Sequence, residues 1–462
     1  MWLGFFVMCL NLRQLMSGRV VPWAATVFSL VFLLMAWQLA ASSYAGTAPA
    51  APGTSTPSAT SATATKTAAS SQAQAASAVR QVSFYETPFQ RRPSVAELTE
   101  LGRALFAEPA LSASGKMSCQ SCHSPQHAYS APNALPVQVG GAKLKSPGLR
   151  AVPSIMYQQA TPAFNEHFSD NDGDDSADQG PTGGRTWDGR VSSAHDQAAL
   201  PLLSPLEMAN PDSASVVKRL RQSPLAPRFA AVFGAQTLQD SEKSWNGLLW
   251  ALEVFQQSPS DFYPYSSKYD AVLRGQAQLT AQERRGLDAF NDARRGNCAQ
   301  CHPSAFKRGA FPAFTDYGHI NLGVPRNRHI AANATASWYD LGLCGPMRTD
   351  LTTRTDFCGR FKTPSLRNVG LRKSFFHNGV FHSLDDVVRF YAERDSRPQQ
   401  FYGRSSGGKV QKFDDLPADM HGNVNMEAPF GAAQGGKPAL TSAEIRDVVA
   451  FLRTLSDGFK TQ

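Results

Sequence analysis

The sequence contains no block of Lys or Arg residues and no series of short segments with the alternating apolar and polar residues of β-strands. Its 45 basic residues are scattered, although the formal net charge is +8 at pH 7. Proteins that bind nucleic acids usually concentrate basic residues on one face, so we expect no nucleic-acid partner. Without strand patterns, and with several stretches of helically spaced apolar residues, the chain is predicted to be mainly α.

Charges and large apolar side chains are also scarce in one internal segment, residues 46–80, which consists mostly of Ala, Thr, Ser and Pro. Such a segment cannot bury enough apolar surface to fold, so we expect a flexible linker. The rest of the 462-residue chain, with 42% hydrophobic residues overall, can form two globular domains with ordinary cores.

An almost uninterrupted apolar stretch covers residues 20–41 and follows Arg13 and Arg19. Its length is about the 20 residues that a membrane helix needs. The position of the basic residues predicts that the amino end stays inside and that the following chain is exported. Residues 1–45 could be a cleaved signal peptide or a retained membrane anchor, and both interpretations stay open.

Four of the seven cysteines belong to two Cys-x-x-Cys-His motifs. When this motif lies on a short helix, the thiols and the imidazole point to one side, where the sulfurs can form thioethers with haem and His can bind the iron. The sequence therefore predicts two covalently bound c-type haems, although a zinc site or a thioredoxin-like redox pair are alternatives. The motif residues are Cys119, Cys122, His123, Cys298, Cys301 and His302.

A helical pattern precedes each motif, at residues 94–106 and 280–290. This repeat predicts two related haem domains at 81–265 and 266–462, with a boundary near 258–274. We expect a mainly α fold in which long loops surround the cofactors.

The other three cysteines are Cys9, Cys344 and Cys358. Cys9 precedes the apolar stretch, and we expect no chemical role for it. Cys344 and Cys358 enclose a short polar loop and predict a disulfide in an exported chain, with two free buried thiols as the alternative.

Several longer segments carry a family resemblance. They are Leu-Gly-Arg-Ala-Leu-Phe at 101–106, Ser-Cys-Gln-Ser-Cys-His at 118–123, Trp-Asp-Gly-Arg at 187–190, Asp-Gln-Ala at 196–198, Pro-Leu-Glu-Met at 205–208, Thr-Pro-Ser-Leu-Arg-Asn at 363–368 and Phe-His-Asn-Gly at 376–379. In these segments the sequence resembles the bacterial di-haem cytochrome c peroxidases, and more closely their MauG-like branch. The resemblance implies a periplasmic protein with an N-terminal peroxidatic domain and a C-terminal electron-transfer domain.

The resemblance implies that Gln197 and Glu207 face the first haem. A carboxylate there could accept a proton from hydrogen peroxide and return it to the leaving oxygen, while Gln197 holds the peroxide or a water. Trp187 matches the family tryptophan that lies between the haems, where its ring could shorten the electron path. Each residue also has an ordinary interpretation, as a surface residue for the first two and as core packing for Trp187.

The resemblance also implies a second axial ligand for the haem held by His302. In the family this ligand stands fourteen residues after the His of the Phe-His-x-Gly segment, as Met in the peroxidases and as Tyr in the MauG-like branch. Counting from His377 gives Tyr391. A phenolate oxygen favours ferric and higher iron states, whereas a thioether favours ferrous iron. Met420, Met426 or a purely structural Tyr391 are the alternatives.

For the first haem, no family residue supplies a distal histidine, because His127 follows its motif too closely. Interdomain calcium is in doubt, since Ala151 stands after Arg150 where the family often has an Asn ligand. The acidic run at 170–175 could hold calcium, but its spacing is not that of an EF-hand and we expect a solvated loop.

Together these features predict an enzyme that reduces hydrogen peroxide with electrons from a small periplasmic donor, either a cytochrome c or a copper protein. A MauG-like oxidation of residues on a partner protein is one alternative. A di-haem electron carrier without peroxide chemistry is another, but it would have no use for an acid–base residue such as Glu207.

Overall fold

The computed structural model describes residues 83–167, 180–307 and 309–461. These residues belong to one compact unit, Arg80–Gln462. The predicted signal peptide or membrane anchor at 1–45, the linker at 46–80 and the acidic run at 170–175 lie outside the described residues and stay predictions. We call the described residues up to 265 the first half and those from 266 onward the second half.

The described chain is mainly helical, as predicted. Its α-helices are α1 (Val95–Ala107), α2 (Cys119–Cys122), α3 (Ala194–Leu203), α4 (Ser213–Gln222), α5 (Ala226–Phe233), α6 (Ala235–Gln239), α7 (Ser241–Gln256), α8 (Pro259–Phe262), α9 (Lys268–Leu273), α10 (Ala281–Asn291), α11 (Leu384–Glu393) and α12 (Ser442–Arg453). Short 3₁₀ helices lie at Phe84–Glu86, Pro109–Leu111, Pro125–His127, Cys298–Gln300, Ala331–Ala334, Thr355–Phe357, Val369–Leu371, Pro398–Gln400 and Ala418–Asn423. In the ranges that the structure describes, each helix is too short or too polar to cross a membrane.

Within residues 83–167, 180–307 and 309–461, four two-residue strands form two small antiparallel ladders. Strand β1 (Val139–Gly140) pairs with β2 (Ser146–Pro147), and β3 (His319–Ile320) pairs with β4 (Phe361–Lys362). In the second ladder His319 is opposite Lys362. Long loops connect the helices around these ladders, in agreement with the predicted architecture.

Sequence signals at their amino ends explain where α1 and α10 begin. The Ser94 side chain accepts from the backbone N–H of Glu97, and the Glu97 carboxylate accepts from the backbone N–H of Ser94. Thr280 and Glu283 form the same capping box at α10. These reciprocal bonds satisfy backbone donors that a helix end would otherwise leave free.

Each of these helices crosses another helix at a glycine. At Gly102 a β-carbon would overlap the Ala251 carbonyl of α7, and at Gly286 it would overlap the Asp447 carbonyl of α12. The two helix pairs therefore approach more closely than any larger residue allows. The same device occurs in both halves, on the helix that leads into each Cys-x-x-Cys-His motif.

The buried apolar side chains form separate clusters in the two halves. The main cluster of the first half includes residues from Leu98 to Phe262, and that of the second half includes residues from Tyr269 to Leu455. One cluster ends at Phe262 and the other begins at Tyr269, while the domain boundary at 258–274 stays a prediction. Phe106 and Phe290, each four residues after its crossing glycine, are buried in the respective clusters.

A second repeat relates residues 185–203 to residues 375–393. In the first copy an isolated bridge pairs Arg185 with Val191, and in the second a bridge pairs Phe375 with Phe381. Each bridge encloses a glycine with a φ of +62°, and each is followed by a helix, α3 or α11, that a serine caps.

We predict that Gly286→Ala destabilises the protein, because the added β-carbon must push α10 away from α12. Overpacking of this kind costs about 1–3 kcal/mol. The free energy of unfolding of the holoprotein, measured in denaturant, would report it. Gly422→Ala is the matched control, since no atom lies within 4 Å of a β-carbon there. Equal stabilities for the two variants would contradict the close crossing.

Candidate active site

Local helical geometry brings the residues of each Cys-x-x-Cys-His motif to one side. Cys119 and Cys122 lie on the single turn of α2, and the backbone N–H of His123 donates to the Cys119 carbonyl at 2.9 Å. In the second motif His302 donates to the Cys298 carbonyl at the same distance. The four thiols are partly buried and form no disulfide, so they are available for thioether bonds.

Backbone carbonyls orient both imidazole rings. Nδ1 of His123 lies 2.9 Å from the Tyr129 oxygen, and Nδ1 of His302 lies 2.8 Å from the Phe314 oxygen. Since a carbonyl can only accept, Nδ1 carries the hydrogen and Nε2 keeps its lone pair for a metal. Burial lowers the pKa of His123 and lowers that of His302 to about 4, so both rings are neutral near pH 7.

The two acceptor residues share an unusual backbone conformation. Tyr129 has a φ of +49° and Phe314 a φ of +54°, in the left-handed region that large side chains rarely adopt. Residues held in such conformations concentrate at functional sites. The strained turns therefore add to the evidence that the two histidines have a common role.

One cavity of about 860 Å³ reaches both motifs. Protein interiors are packed too closely to leave such a volume between side chains, so this is a binding space for large apolar groups. With thiols and neutral imidazoles in its wall, the cavity fits haem. The predicted site residues that line it are Cys119, Cys122, His123, Trp187, Gln197, Glu207, Cys298, Cys301, His302 and Tyr391.

Glu207 lies just beyond α3, against the first ladder. Its backbone N–H donates to the Ser204 carbonyl, and its own carbonyl accepts from Gly141 at 2.8 Å. Glu207 is an exposed residue that lines the cavity, and desolvation by the surrounding protein raises the pKa of its carboxyl, although Ser204 and Arg190 oppose the shift. The carboxylate is therefore a stronger proton acceptor than that of a free glutamate. Gln197 lines the same cavity from α3.

Trp187 is held from both halves. Its indole N–H donates to the Ala151 carbonyl at 2.8 Å, and its own carbonyl accepts from the Lys362 N–H of β4 at 2.8 Å. Ala151 in turn donates to the His377 carbonyl. These bonds place Trp187 in the cavity wall where the two halves meet.

Tyr391 lines the cavity from α11, among the rings of Phe376, Phe390 and Phe430. Burial, with a smaller effect of Cys301 and Cys298, raises the pKa of its hydroxyl. Neither Met420 nor Met426 is among the described residues that line the cavity. The Met426 sulfur instead contacts the Arg394 guanidinium at 3.3 Å. His127, which the sequence left aside, pairs with the Ser124 hydroxyl at 3.0 Å.

The repeat of 185–203 in 375–393 sets these residues in register. Trp187 corresponds to His377, Gln197 to Val387 and Pro201 to Tyr391. Where the second half presents a phenol to the cavity, the first half presents a proline ring, which has no donor atom for a metal. The two ends of the cavity therefore have the same scaffold but different chemistry.

Sequence reasoning missed the charged cluster behind Trp187. Arg150 donates from Nε and Nη2 to the two carboxylate oxygens of Asp340, at 2.6 and 2.7 Å, and from Nη1 to Asp188 at 2.7 Å. Burial alone would lower the pKa of Arg150 and raise that of Asp188. Their attraction outweighs it, since the Arg150 pKa is raised and that of Asp188 is about 2, with a contribution from Arg190.

Lys362 was also missed. Its ammonium group is buried and donates to the Gly184 carbonyl at 2.7 Å, in the loop that carries Trp187. Burial lowers the pKa of Lys362 to about 7, and the nearby Arg185 adds to the shift. No local pattern in the sequence indicates this residue, because Gly184 is 178 positions away.

The structure joins Cys344 and Cys358 by a disulfide, the pairing expected from the sequence. At the doubtful calcium position Ala151 offers only backbone groups, both of which are used by Trp187 and His377. Calcium therefore stays an open prediction.

We predict that Asp340→Ala destabilises the protein by about 3–5 kcal/mol, because it removes the two-oxygen partner of a buried guanidinium. Denaturant unfolding of the holoprotein measures the change. Glu100→Ala removes a carboxylate that is 58% exposed and pairs with Arg103, and it should cost less than about 1 kcal/mol. A similar small loss for both variants would show that Arg150 does not depend on Asp340.

Comparison with known proteins agrees with this geometry. Residues 96–278 match the family model described as di-haem cytochrome c peroxidase. The chain is similar to the methylamine utilization protein MauG of Paracoccus denitrificans (strain Pd 1222), with 34% identity over 381 residues, covering 80% of this chain and 91% of that protein. It is also similar to the cytochrome c551 peroxidase of Nitrosomonas europaea, with 26% identity over 64% of this chain and 73% of that protein.

Among solved structures, the chain resembles the diheme peroxidase BthA from Burkholderia thailandensis E264. The sequence identity is 35% and the TM-score is 0.70, with 81% of this chain and 89% of BthA covered. The mainly helical fold is thus that of a solved diheme peroxidase.

Proposed function

The chain belongs to the di-haem cytochrome c peroxidase family, and from this membership we propose that it reduces hydrogen peroxide with electrons from a periplasmic donor protein. It is an oxidoreductase of the peroxidase type, as its relatives named cytochrome c peroxidase are. One observation carries the proposal: both Cys-x-x-Cys-His motifs, Glu207 and Trp187 line a single cavity.

Two covalently bound c-type haems would be held by the motif residues. Cys119 and Cys122 would form the thioethers of the first and His123 would bind its iron, with Cys298, Cys301 and His302 in the same roles for the second. Bound haem would supply the iron centre at which peroxide accepts electrons. The neutral imidazoles, fixed by backbone carbonyls, support this assignment.

Glu207 would act as the acid–base residue. Its carboxylate would accept a proton from hydrogen peroxide and return it to the departing oxygen, which leaves as water. The raised pKa of Glu207 supports this role, because it makes the carboxylate a stronger acceptor of the peroxide proton. Gln197 would orient the peroxide by hydrogen bonds from the neighbouring wall of the cavity.

Trp187 would carry electrons between the halves. Its ring lies in the wall of the shared cavity, and its bonds to Ala151 and Lys362 hold it there. A position fixed from both sides suits a residue that must pass an electron without moving. The ion pairs of Arg150 hold the adjacent Asp188 and so support the same loop.

The two ends of the cavity would have different functions. Tyr391 would give the second haem a hard oxygen ligand, which favours high oxidation states of iron. Pro201, at the corresponding position of the first half, would leave that end open to peroxide. We therefore place peroxide chemistry in the first half and electron transfer in the second.

A MauG-like oxidation of residues on a partner protein is the second candidate. The similarity to MauG of Paracoccus denitrificans and the presence of Tyr391 in place of a methionine favour it. Both candidates share the peroxide step and differ in the source of electrons. Export to the periplasm rests on the apolar stretch at 20–41.

Electron paramagnetic resonance of the ferric holoprotein tests the division of work. We predict one high-spin and one low-spin signal, both changed by hydrogen peroxide, and loss of the low-spin signal in Tyr391→Phe. Tyr402→Phe is the control, because the Tyr402 hydroxyl is buried nearby but donates to the Gly323 carbonyl at 2.5 Å. Two low-spin signals that do not change when hydrogen peroxide is added would instead identify an electron carrier.

Replacement of the acid–base residue tests the chemistry. We predict that Glu207→Gln slows the reaction with hydrogen peroxide by about 10²–10⁴-fold, because an amide cannot accept the peroxide proton. Stopped-flow absorbance of the haems measures the rate, and the unchanged haem content confirms that the variant is intact. Glu100→Gln, on the surface, should keep the original rate. A Glu207→Gln variant as fast as the original protein would rule out the role.

A further inference from the structure

A group of polar side chains on the outer side of α3 and α7 has no part in the peroxide step. The Tyr85 hydroxyl donates to the Glu253 carboxylate, with both oxygens at 3.1 Å. Nδ1 of His195 lies 3.0 Å from the same carboxylate and 3.4 Å from the Tyr85 oxygen. The Phe84 ring stacks on His195 at 3.7 Å.

Exposure within this group is uneven. Tyr85 is 51% exposed, whereas Glu253 is 5% exposed. The phenol therefore reaches the surface while its proton acceptor stays inside the protein. A partner molecule could contact the ring without disturbing the hydrogen bond beneath it.

This arrangement suits one-electron oxidation of a phenol. An oxidised phenol is a strong acid, so it must lose its proton as the electron leaves, and a carboxylate at hydrogen-bond distance can take that proton. In the part of the chain that the structure describes, other tyrosines lack the combination of an exposed ring and a carboxylate acceptor. The Tyr263 hydroxyl donates to a backbone carbonyl, that of Gln257, and Tyr157 bonds Asp457 but is 1% exposed.

The group is connected to the wall of the cavity. His195 is two residues from Gln197 on α3, and Glu253 follows Leu252 on α7, where Gln197 and Leu252 both line the cavity. Arg185, which lines the cavity two residues before Trp187, interacts electrostatically with Glu253 and Tyr85. One layer of protein thus separates the exposed phenol from the proposed electron path.

We propose that Tyr85 is a surface redox site of the first half, at which a small external one-electron donor is oxidised, in addition to the electron transfer that we place in the second half. The inference rests on the proposed function, because hydrogen peroxide is the oxidant: each peroxide takes up two electrons and two protons and gives two waters. Tyr85 would lose one electron to the groups in the interior that hydrogen peroxide has oxidised, while its O–H proton moves to Glu253. The donor then returns one electron, Glu253 returns the proton, and the phenol is restored.

The acidity of the phenol supports this cycle. Partial burial, together with the charge of Glu253 and its hydrogen bond, raises the pKa of Tyr85 to about 12. The phenol thus keeps its proton at neutral pH until it is oxidised.

The test uses the holoprotein, hydrogen peroxide and no donor. We predict a tyrosyl radical in freeze-quench electron paramagnetic resonance, identified by its change with ring-deuterated tyrosine. Tyr85→Phe should remove most of that signal. Tyr263→Phe, which lacks a carboxylate partner, and Tyr157→Phe, which is buried, should both keep it. A signal of the same size in Tyr85→Phe would overturn the proposal.

The proton acceptor has its own readout. Glu253→Gln keeps a hydrogen-bonding group of the same shape but removes the base, so the radical should form about 100-fold more slowly. An unchanged rate would overturn the role of Glu253. Because Glu253 is buried and its variant could fail to fold, the tyrosine variants above test the site independently.

A peroxide-independent oxidant separates this proposal from the proposed function. Photogenerated tris(bipyridine)ruthenium(III) should oxidise Tyr85 in the original protein in preference to Tyr263. If the protein does not react with hydrogen peroxide but photogenerated ruthenium(III) still oxidises Tyr85, the proposed function fails and the redox site stands. If peroxide is consumed and neither oxidant produces a radical at Tyr85, the redox site fails and the proposed function stands.

Discussion

The buried guanidinium of Arg150 is the interaction on which the arrangement of the two halves depends. It binds Asp188 of the first half and Asp340 of the second, so one cation holds carboxylates from both. An uncompensated charge at this depth would be very costly, which makes the geometry of the three groups nearly obligatory. Trp187 precedes Asp188 directly, so these ion pairs also support the loop that carries Trp187. Ion pairs therefore stabilise the common wall of the cavity, in addition to its apolar contacts.

Around this joint the protein uses one scaffold twice. Helix crossings at Gly102 and Gly286, histidines bound to carbonyls of left-handed residues, and a bridge followed by a capped helix occur in each half. The copies differ in the side chains that face the cavity. Pro201 and Tyr391 occupy corresponding positions, and in the proposed function this difference would close one end of the cavity and leave the other open. The proposed difference in chemistry between the two ends of the cavity therefore requires no difference in backbone fold between the two halves.

Local patterns explain which parts of this could be predicted. The Cys-x-x-Cys-His motifs and the helices before them depend on residues only three or four positions apart, so spacing alone indicates them. The roles proposed for Gln197, Glu207, Trp187 and Tyr391 rest on the family resemblance. The residues next to each of them in the sequence are equally compatible with an ordinary structural position.

Other contacts could not be read from the sequence. Arg150 and Asp340 are 190 positions apart, and Tyr85 and Glu253 are 168 apart. An isolated Arg, Asp, Tyr or Glu has no periodicity that would indicate its partner. Chain folding alone brings such pairs together.

The hydrogen bonds that orient His123 and His302 have a consequence for the history of the protein. The acceptor in each is a main-chain oxygen, which every amino acid possesses, so point mutations at Tyr129 or Phe314 do not delete it. Substitution there could change the surrounding packing while the ring keeps the same tautomer. Evolution is consequently free to vary these neighbours, provided that the left-handed turn survives, and the chain can diverge far without altering how its imidazoles are presented.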